Sequence, residues 1–159
     1  MARPLPRMRD QYRYFRPIDL RWNDVDRFGH VNNAIFFELF DTTVNAWLAE
    51  NGIFQEDCDP MCVVVRHACD YFLEVKPSDK VEIALAIETI GTSSLTYLVA
   101  LFRAGEDQPA AQGTYVHVAV DRTTRRPTPI GPEAIRICKS LVIATDEHVN
   151  VLNNRSVSN

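Results

Sequence analysis

Residues 34–50, Ala-Ile-Phe-Phe-Glu-Leu-Phe-Asp-Thr-Thr-Val-Asn-Ala-Trp-Leu-Ala-Glu, form the one stretch of this chain whose pattern demands a long helix. Asn32 or Asn33 supplies the N-cap before it, and Asn51-Gly52 supplies the stop behind it. The first two turns are apolar nearly all round, through Ile35, Phe36, Phe37, Leu39 and Phe40. Such a helix must be buried on most of its sides. Nearly everything downstream reads as strand, so the cover has to come from a sheet.

The strands follow from period and punctuation. Residues 15–22 carry Ile18, Leu20 and Trp22 in alternation, which predicts a half-buried strand ahead of the helix. After the helix, Gln55-Glu56-Asp57-Cys58-Asp59-Pro60 is a turn-rich connector. Residues 61–73 are apolar and β-branched at Val63-Val64-Val65, and Lys76-Pro77-Ser78-Asp79 ends them. Residues 81–88 alternate apolar with small or acidic side chains, Gly91-Thr92-Ser93-Ser94 turns the chain, and residues 95–103 continue as strand. A second turn precedes residues 111–121, where Thr114, Val116, Val118 and Val120 recur in step. These last three strands predict an antiparallel meander. Residues 132–144 predict a short helix with proline in its first turn. One long buried helix and about five strands make an α+β domain over residues 1–144, its antiparallel sheet wrapped around the helix. A polar, mobile tail is expected over residues 145–159. A single curled sheet leaves edges and faces to cover, which points to a dimer or a higher even oligomer.

Charge and composition remove several classes of function. A formal net charge of −4 carries no electrostatic footprint for nucleic acid. No apolar run approaches the roughly 18 residues that span a bilayer. Met1-Ala2-Arg3-Pro4-Leu5-Pro6-Arg7 lacks the apolar core of a signal peptide, so no membrane partner is expected and the cytoplasm is the default location. Cys58, Cys62, Cys69 and Cys138 contain no C-x-x-C pair, and His67 stands at no familiar zinc spacing from them. Reduced thiols and no metal are expected.

The densest chemistry lies in Asp24-Val25-Asp26-Arg27-Phe28-Gly29-His30-Val31-Asn32-Asn33, directly before the helix. A helix N-terminus directs unpaired N–H groups and a partial positive charge at whatever lies beside Asp26 and His30, and such an end can polarise a carbonyl oxygen. Asp26 is either a working carboxylate or a capping residue paired with Arg27. Asp24 faces the same side by alternation, and two like charges so close favour a structural or tuning role for it. His30 suits proton transfer near neutral pH, or serves as a hydrogen-bonded structural residue. The side chains of Asn32 and Asn33 read as caps and braces. Glu38, Arg66 and His67 each allow a site role or a structural one. Phe36, Phe37, Phe40 and Trp47 recur at helical spacing and read as core.

The D-x-D-x-x-G-H-V-N-N block, the helix directly after it and the later meander resemble the hotdog-fold thioesterases, the group containing 4-hydroxybenzoyl-CoA thioesterase and its acyl-CoA-hydrolysing relatives. The likeness runs from about residue 14 to about residue 141. It implies a helix wrapped by an antiparallel sheet, subunits paired as a homodimer or homotetramer, active sites at the subunit interface, and hydrolysis of an acyl-CoA to an acid and free coenzyme A without a cofactor. Carried over residue by residue, it makes Asp26 the catalytic carboxylate and the Asn33 backbone N–H the oxyanion donor. Gly29 permits the tight approach before the helix, and His30 matches a histidine present in part of the family. Phe28 stands where plant-type acyl carrier protein thioesterases have asparagine, so the likeness is closer to bacterial acyl-CoA enzymes. On the same resemblance Asn32, Thr92, Ser93 and Ser94 join Gly29 as substrate contacts, the turn residues offering donors to a pantetheine arm or phosphate, or else forming an ordinary turn. Arg122, Arg125 and Arg126 meet coenzyme A phosphates or remain a solvated cluster. Two other readings stay open: a noncatalytic acyl-CoA-binding module, and a hotdog dehydratase or hydratase, whose histidine and acid are placed differently. The acyl group is not specified.

Overall fold

The computed structural model describes residues 4–56 and 58–143. Five strands, β1 (Tyr14–Ile18), β2 (Met61–Tyr71), β3 (Val81–Ile90), β4 (Ser94–Arg103) and β5 (Ala111–Val120), form one sheet in the order β1-β3-β4-β5-β2. All pairings are antiparallel, and β3, β4 and β5 are the expected meander. The long helix α1 (Asn33–Glu50) lies across one face, and a short helix, α2 (Pro132–Cys138), adds Ala134, Ile135, Ile137 and Cys138 to the same core.

Helix α1 starts where its sequence says it should. Asn32 is extended and its Oδ1 accepts the Ala34 N–H at 3.0 Å, while Gly52 takes φ +65° beyond the last turn. Phe36, Leu39, Phe40, Val44, Trp47 and Leu48 are buried against Ile83, Leu85, Ile87, Leu95, Val99 and Leu101 of the sheet. This face is the main core. The opposite face is partly covered by the chain's own N-terminal segment, with Tyr12 and Phe15 on Phe102, Ala84, Ala86 and Leu98. Arg9 lies over the Phe15 and Phe102 rings and pairs with Glu82.

Two expectations on element bounds are corrected, and one face left open is decided. The first strand ends at Ile18, and Trp22 opens a 3-10 turn, Trp22–Asp24, with its indole 89% exposed. Asp24 turns the chain there by accepting the Arg21 N–H, which period-2 alternation does not reveal. On β5 the residues in step, Thr114, Val116 and Val118, face away from α1 and are half-buried, whereas Tyr115, His117 and Ala119 form the helix-facing row. The predicted helix over 132–144 stops at Cys138, followed by a 3-10 turn, Lys139–Leu141. The predicted tail at 145–159, like Ala144, lies outside the described residues.

Register fixes which residues share an end of the sheet. The Tyr71 hydroxyl donates to the Asn33 carbonyl at 2.9 Å and the Val31 N–H to the Val75 carbonyl at 2.7 Å, so α1 begins where β2 ends. The Gly91-to-Ser94 turn lies at the other end, because Ser94 pairs with Val118 and Val118 with Val63. From Val63 to Tyr71 the strand covers roughly 25 Å at about 3.3 Å per residue.

Candidate active site

The loop before α1 is folded by its own polar groups. Val25 and Val31 bridge, Asp26 donates its N–H to the His30 carbonyl at 2.8 Å, and Gly29 N–H closes back on the Asp26 carbonyl at 3.1 Å. Gly29 takes φ +82°, a conformation that side-chain-bearing residues rarely adopt. Within this loop Asp26 Oδ1 accepts the N–H groups of Phe28 at 2.8 Å and His30 at 3.2 Å. Both bonds fall on one oxygen, and Oδ2 has no hydrogen-bond partner among the described residues. Asp26 makes no ion pair with Arg27, whose guanidinium lies over the Phe28 ring instead.

Asp24 lives differently. It is 1% exposed and accepts three bonds from Arg21, from the backbone N–H at 2.7 Å and from Nε and Nη2 at 3.0 and 2.9 Å. Its carbonyl accepts the Asn32 N–H at 2.8 Å. Arg21 Nη2 also reaches Glu38 Oε1 at 2.6 Å, tying the loop to α1. A buried carboxylate saturated in this way braces the loop, and the same guanidinium occupies Glu38.

At the helix start Asn32 caps Ala34, and Ile35 N–H bonds the Asn32 carbonyl at 2.9 Å. The Asn33 N–H has no partner among the described residues. It is the open donor of the first turn, carrying the positive end of an 18-residue helix. His30 Nε2 sits 3.2 Å from Glu74 Oε2. A cavity of about 410 Å³ opens beside the loop, lined by Trp22, Val25, Asp26, Gly29 and Pro77.

The structure thus gathers Asp26, Gly29, His30, Asn32 and Asn33 at one end of the sheet. It does not bring Thr92, Ser93 and Ser94 to them within one chain, since the turn lies at the opposite end. Arg122 and Arg125 are at that far end too, donating to the Cys58 carbonyl and to Met61 Sδ. Arg66 is exposed on β2, while His67 packs against the rings of Phe37, Phe40 and Tyr115. Burial holds the His67 imidazole below its ordinary value. The four cysteines are free, and burial pushes Cys62 up to about 12 and Cys69 and Cys138 up to about 11, which keeps these three thiols protonated. Among the described residues no three His, Cys, Asp or Glu side chains cluster as metal ligands, and no helix is long and apolar enough to cross a membrane.

Trp22, Glu74 and Pro77 were missed by sequence reasoning. Trp22 reads as the end of a half-buried strand, Pro77 as part of a turn, and Glu74 falls between strand and turn.

The thioesterase-like superfamily matches the chain over residues 20–137. The crystal structure of the PA5185 protein from Pseudomonas aeruginosa strain PAO1 superposes with a TM-score of 0.84 at 36% identity, covering 89% of this chain and 100% of that one. A thioesterase from Thermus thermophilus, solved in complex with coenzyme A and Zn, superposes with a TM-score of 0.68 at 25% identity, over 83% of this chain and 96% of that one. The YsmA protein of Bacillus subtilis (strain 168) is 29% identical over 119 residues, 75% of this chain and 80% of its own.

Proposed function

Because the chain belongs to the thioesterase-like superfamily, we propose that it hydrolyses an acyl-CoA thioester to a carboxylic acid and free coenzyme A, with Asp26 as the working carboxylate. Its five-stranded antiparallel sheet around one long helix is the hotdog fold, and its chemistry is thioester hydrolysis. The finer reading rests on one observation above the others. Asp26 presents a carboxylate with one oxygen held by two backbone N–H groups and the other unpartnered, lining an apolar cavity, in the loop that leads into the open N-terminus of α1.

The geometry performs the reaction as follows. Asp26 Oδ2 attacks the thioester carbonyl carbon, or takes a proton from a water that attacks it. Either route moves negative charge onto the carbonyl oxygen, and the Asn33 N–H with the helix dipole behind it stabilises that charge. Collapse breaks the C–S bond. A thiol with an ordinary pKa of about 8.5 is a competent leaving group, which departs as thiolate and takes a proton from His30, held by Glu74 and reprotonated from solvent. On the first route water then hydrolyses the acyl-aspartyl anhydride.

A second copy of the chain completes the site in this reading. β2 is an eleven-residue edge strand with Val64 and Val65 exposed, and its outer backbone edge is free to pair. Two copies joined antiparallel along β2 bring the Met61 end of one to the Tyr71 end of the other. The partner's Thr92–Ser94 turn and arginine cluster then approach Asp26, where a pantetheine arm and phosphates would extend.

The test is release of coenzyme A from a panel of short, medium, long and aromatic acyl-CoAs, with Asp26→Asn alongside. Turnover on at least one substrate is expected, and the variant should lose about 10³-fold in kcat. Acyl-CoA binding with no turnover on any substrate would replace this reading with a binding module.

A further inference from the structure

We infer that Trp22 is a specificity-determining residue, its indole forming one wall of the pocket that receives the acyl group, and that this group is apolar. The inference rests on the thioester reading above and adds which part of the substrate fills the cavity. Trp22 is 89% exposed, the most exposed of the large apolar side chains among the described residues. It is not on a slack segment. It opens the 3-10 turn whose last residue, Asp24, is clamped by Arg21, and Arg21 is in turn tied to α1 through Glu38. The backbone that carries the indole is therefore held, and Trp22 shares one cavity with Asp26.

The other walls say what the cavity accepts. Val25 and Pro77 are apolar, Gly29 offers only backbone, and Asp26 is the sole ionisable group lining it among the described residues. No basic side chain of these lines the cavity to meet a phosphate. A pantetheine arm carries two amides that would lose their hydration here against walls with few polar partners, an unfavourable exchange. A second carboxylate on the acyl group would face Asp26 directly. An alkyl or aryl acyl group meets none of these penalties and gains contact with the indole face.

Two measurements test this. Trp47, the other tryptophan, is buried in the core, so Trp47→Phe leaves Trp22 as the sole indole emitter. Titrating that variant with octyl- and benzyl-thioether analogues of coenzyme A should move the emission to shorter wavelength, and coenzyme A alone should not. If Trp47→Phe folds poorly, the difference between the unaltered chain and Trp22→Phe gives the same reading. In turnover, Trp22→Ala should lose kcat/KM by an amount that grows with acyl size, smallest on acetyl-CoA and roughly 10- to 100-fold on octanoyl- or benzoyl-CoA, with Trp22→Phe retaining most of it.

An emission change with coenzyme A alone, or an equal loss across all acyl groups, overturns the assignment. Emission that moves to longer wavelength on dilution without ligand also overturns it, and places Trp22 in a contact between copies. Absence of turnover on every acyl-CoA refutes the hydrolase reading separately, because the thioether titration still reports whether the indole meets an acyl chain.

Discussion

Asp24 and Asp26 are separated by one valine and have opposite surroundings. Asp24 is enclosed and takes three hydrogen bonds from Arg21, whereas Asp26 keeps an unpartnered oxygen beside a cavity. The consequences differ in kind. Asp24→Ala removes the buried acceptor that folds the loop onto Arg21, whose exposed guanidinium returns to solvent, and should lower unfolding stability by about 2 kcal/mol, read from the denaturant midpoint. Asp26→Asn should leave that midpoint within about 1 kcal/mol while removing turnover, since an amide oxygen still accepts the Phe28 and His30 N–H groups. The pattern alone put both carboxylates on one side of a strand. What separates them is Arg21, whose guanidinium reaches Asp24 and Glu38 together, a contact that sequence spacing does not announce.

Helix α1 was legible from end to end, because caps and apolar spacing are local properties. Its function at the N-terminus is testable through the backbone. Asn33 is the first helical residue, where proline is well tolerated, and Asn32 already has the extended ψ of +135° that suits a residue before proline. Asn33→Pro removes the open N–H together with the carboxamide, and Asn33→Ala, which removes the carboxamide alone, is its control. The proline variant should fold with a circular dichroism spectrum like the unaltered chain and lose about 10²- to 10³-fold in kcat, the range for one oxyanion donor. β1 and β5 were less legible. Alternation shows that two faces differ, yet β5 is apolar on both, and only the position of α1 decides that Tyr115 and His117 point inward.

At the scale of the molecule, the inward face of β5 sets a pH dependence. His117 is 3% exposed among the rings of Tyr97 and Tyr115, and burial pulls its imidazole down to about 4, with the Asp41 carboxylate opposing in part. The unfolded chain binds a proton near pH 6.5 and the folded chain does not until about pH 4. Stability therefore falls as pH drops through that window, by on the order of 3 kcal/mol, and His117 contributes no pH dependence above it. His67 is shifted in the same direction. Denaturant midpoints compared between about pH 7 and about pH 4.5 should fall less in His117→Phe than in the unaltered chain. The length of the sheet sets a second expectation. Asp26 and Thr92 stand at opposite ends of one chain, so on the proposed dimer with shared sites Asp26→Asn and Thr92→Glu should each be impaired alone. Refolded together, they should recover about a quarter of the unaltered rate, because half of the dimers then carry one intact site.

By itself the sequence determined the helix, the number and order of the strands, and the loop that holds Asp26 and His30, since caps, turns and hydrophobic period act over a few residues. Tertiary structure alone decided which aspartate is buried, which face of β5 meets the helix, and that Trp22 leaves the strand pattern to stand beside the cavity. It also decided that Thr92–Ser94 and Asp26 stand at opposite ends of the sheet within one chain. Those outcomes depend on contacts between residues far apart in sequence, such as Tyr71 with Asn33 and Arg21 with Glu38, and no local pattern encodes a partner that only folding brings near.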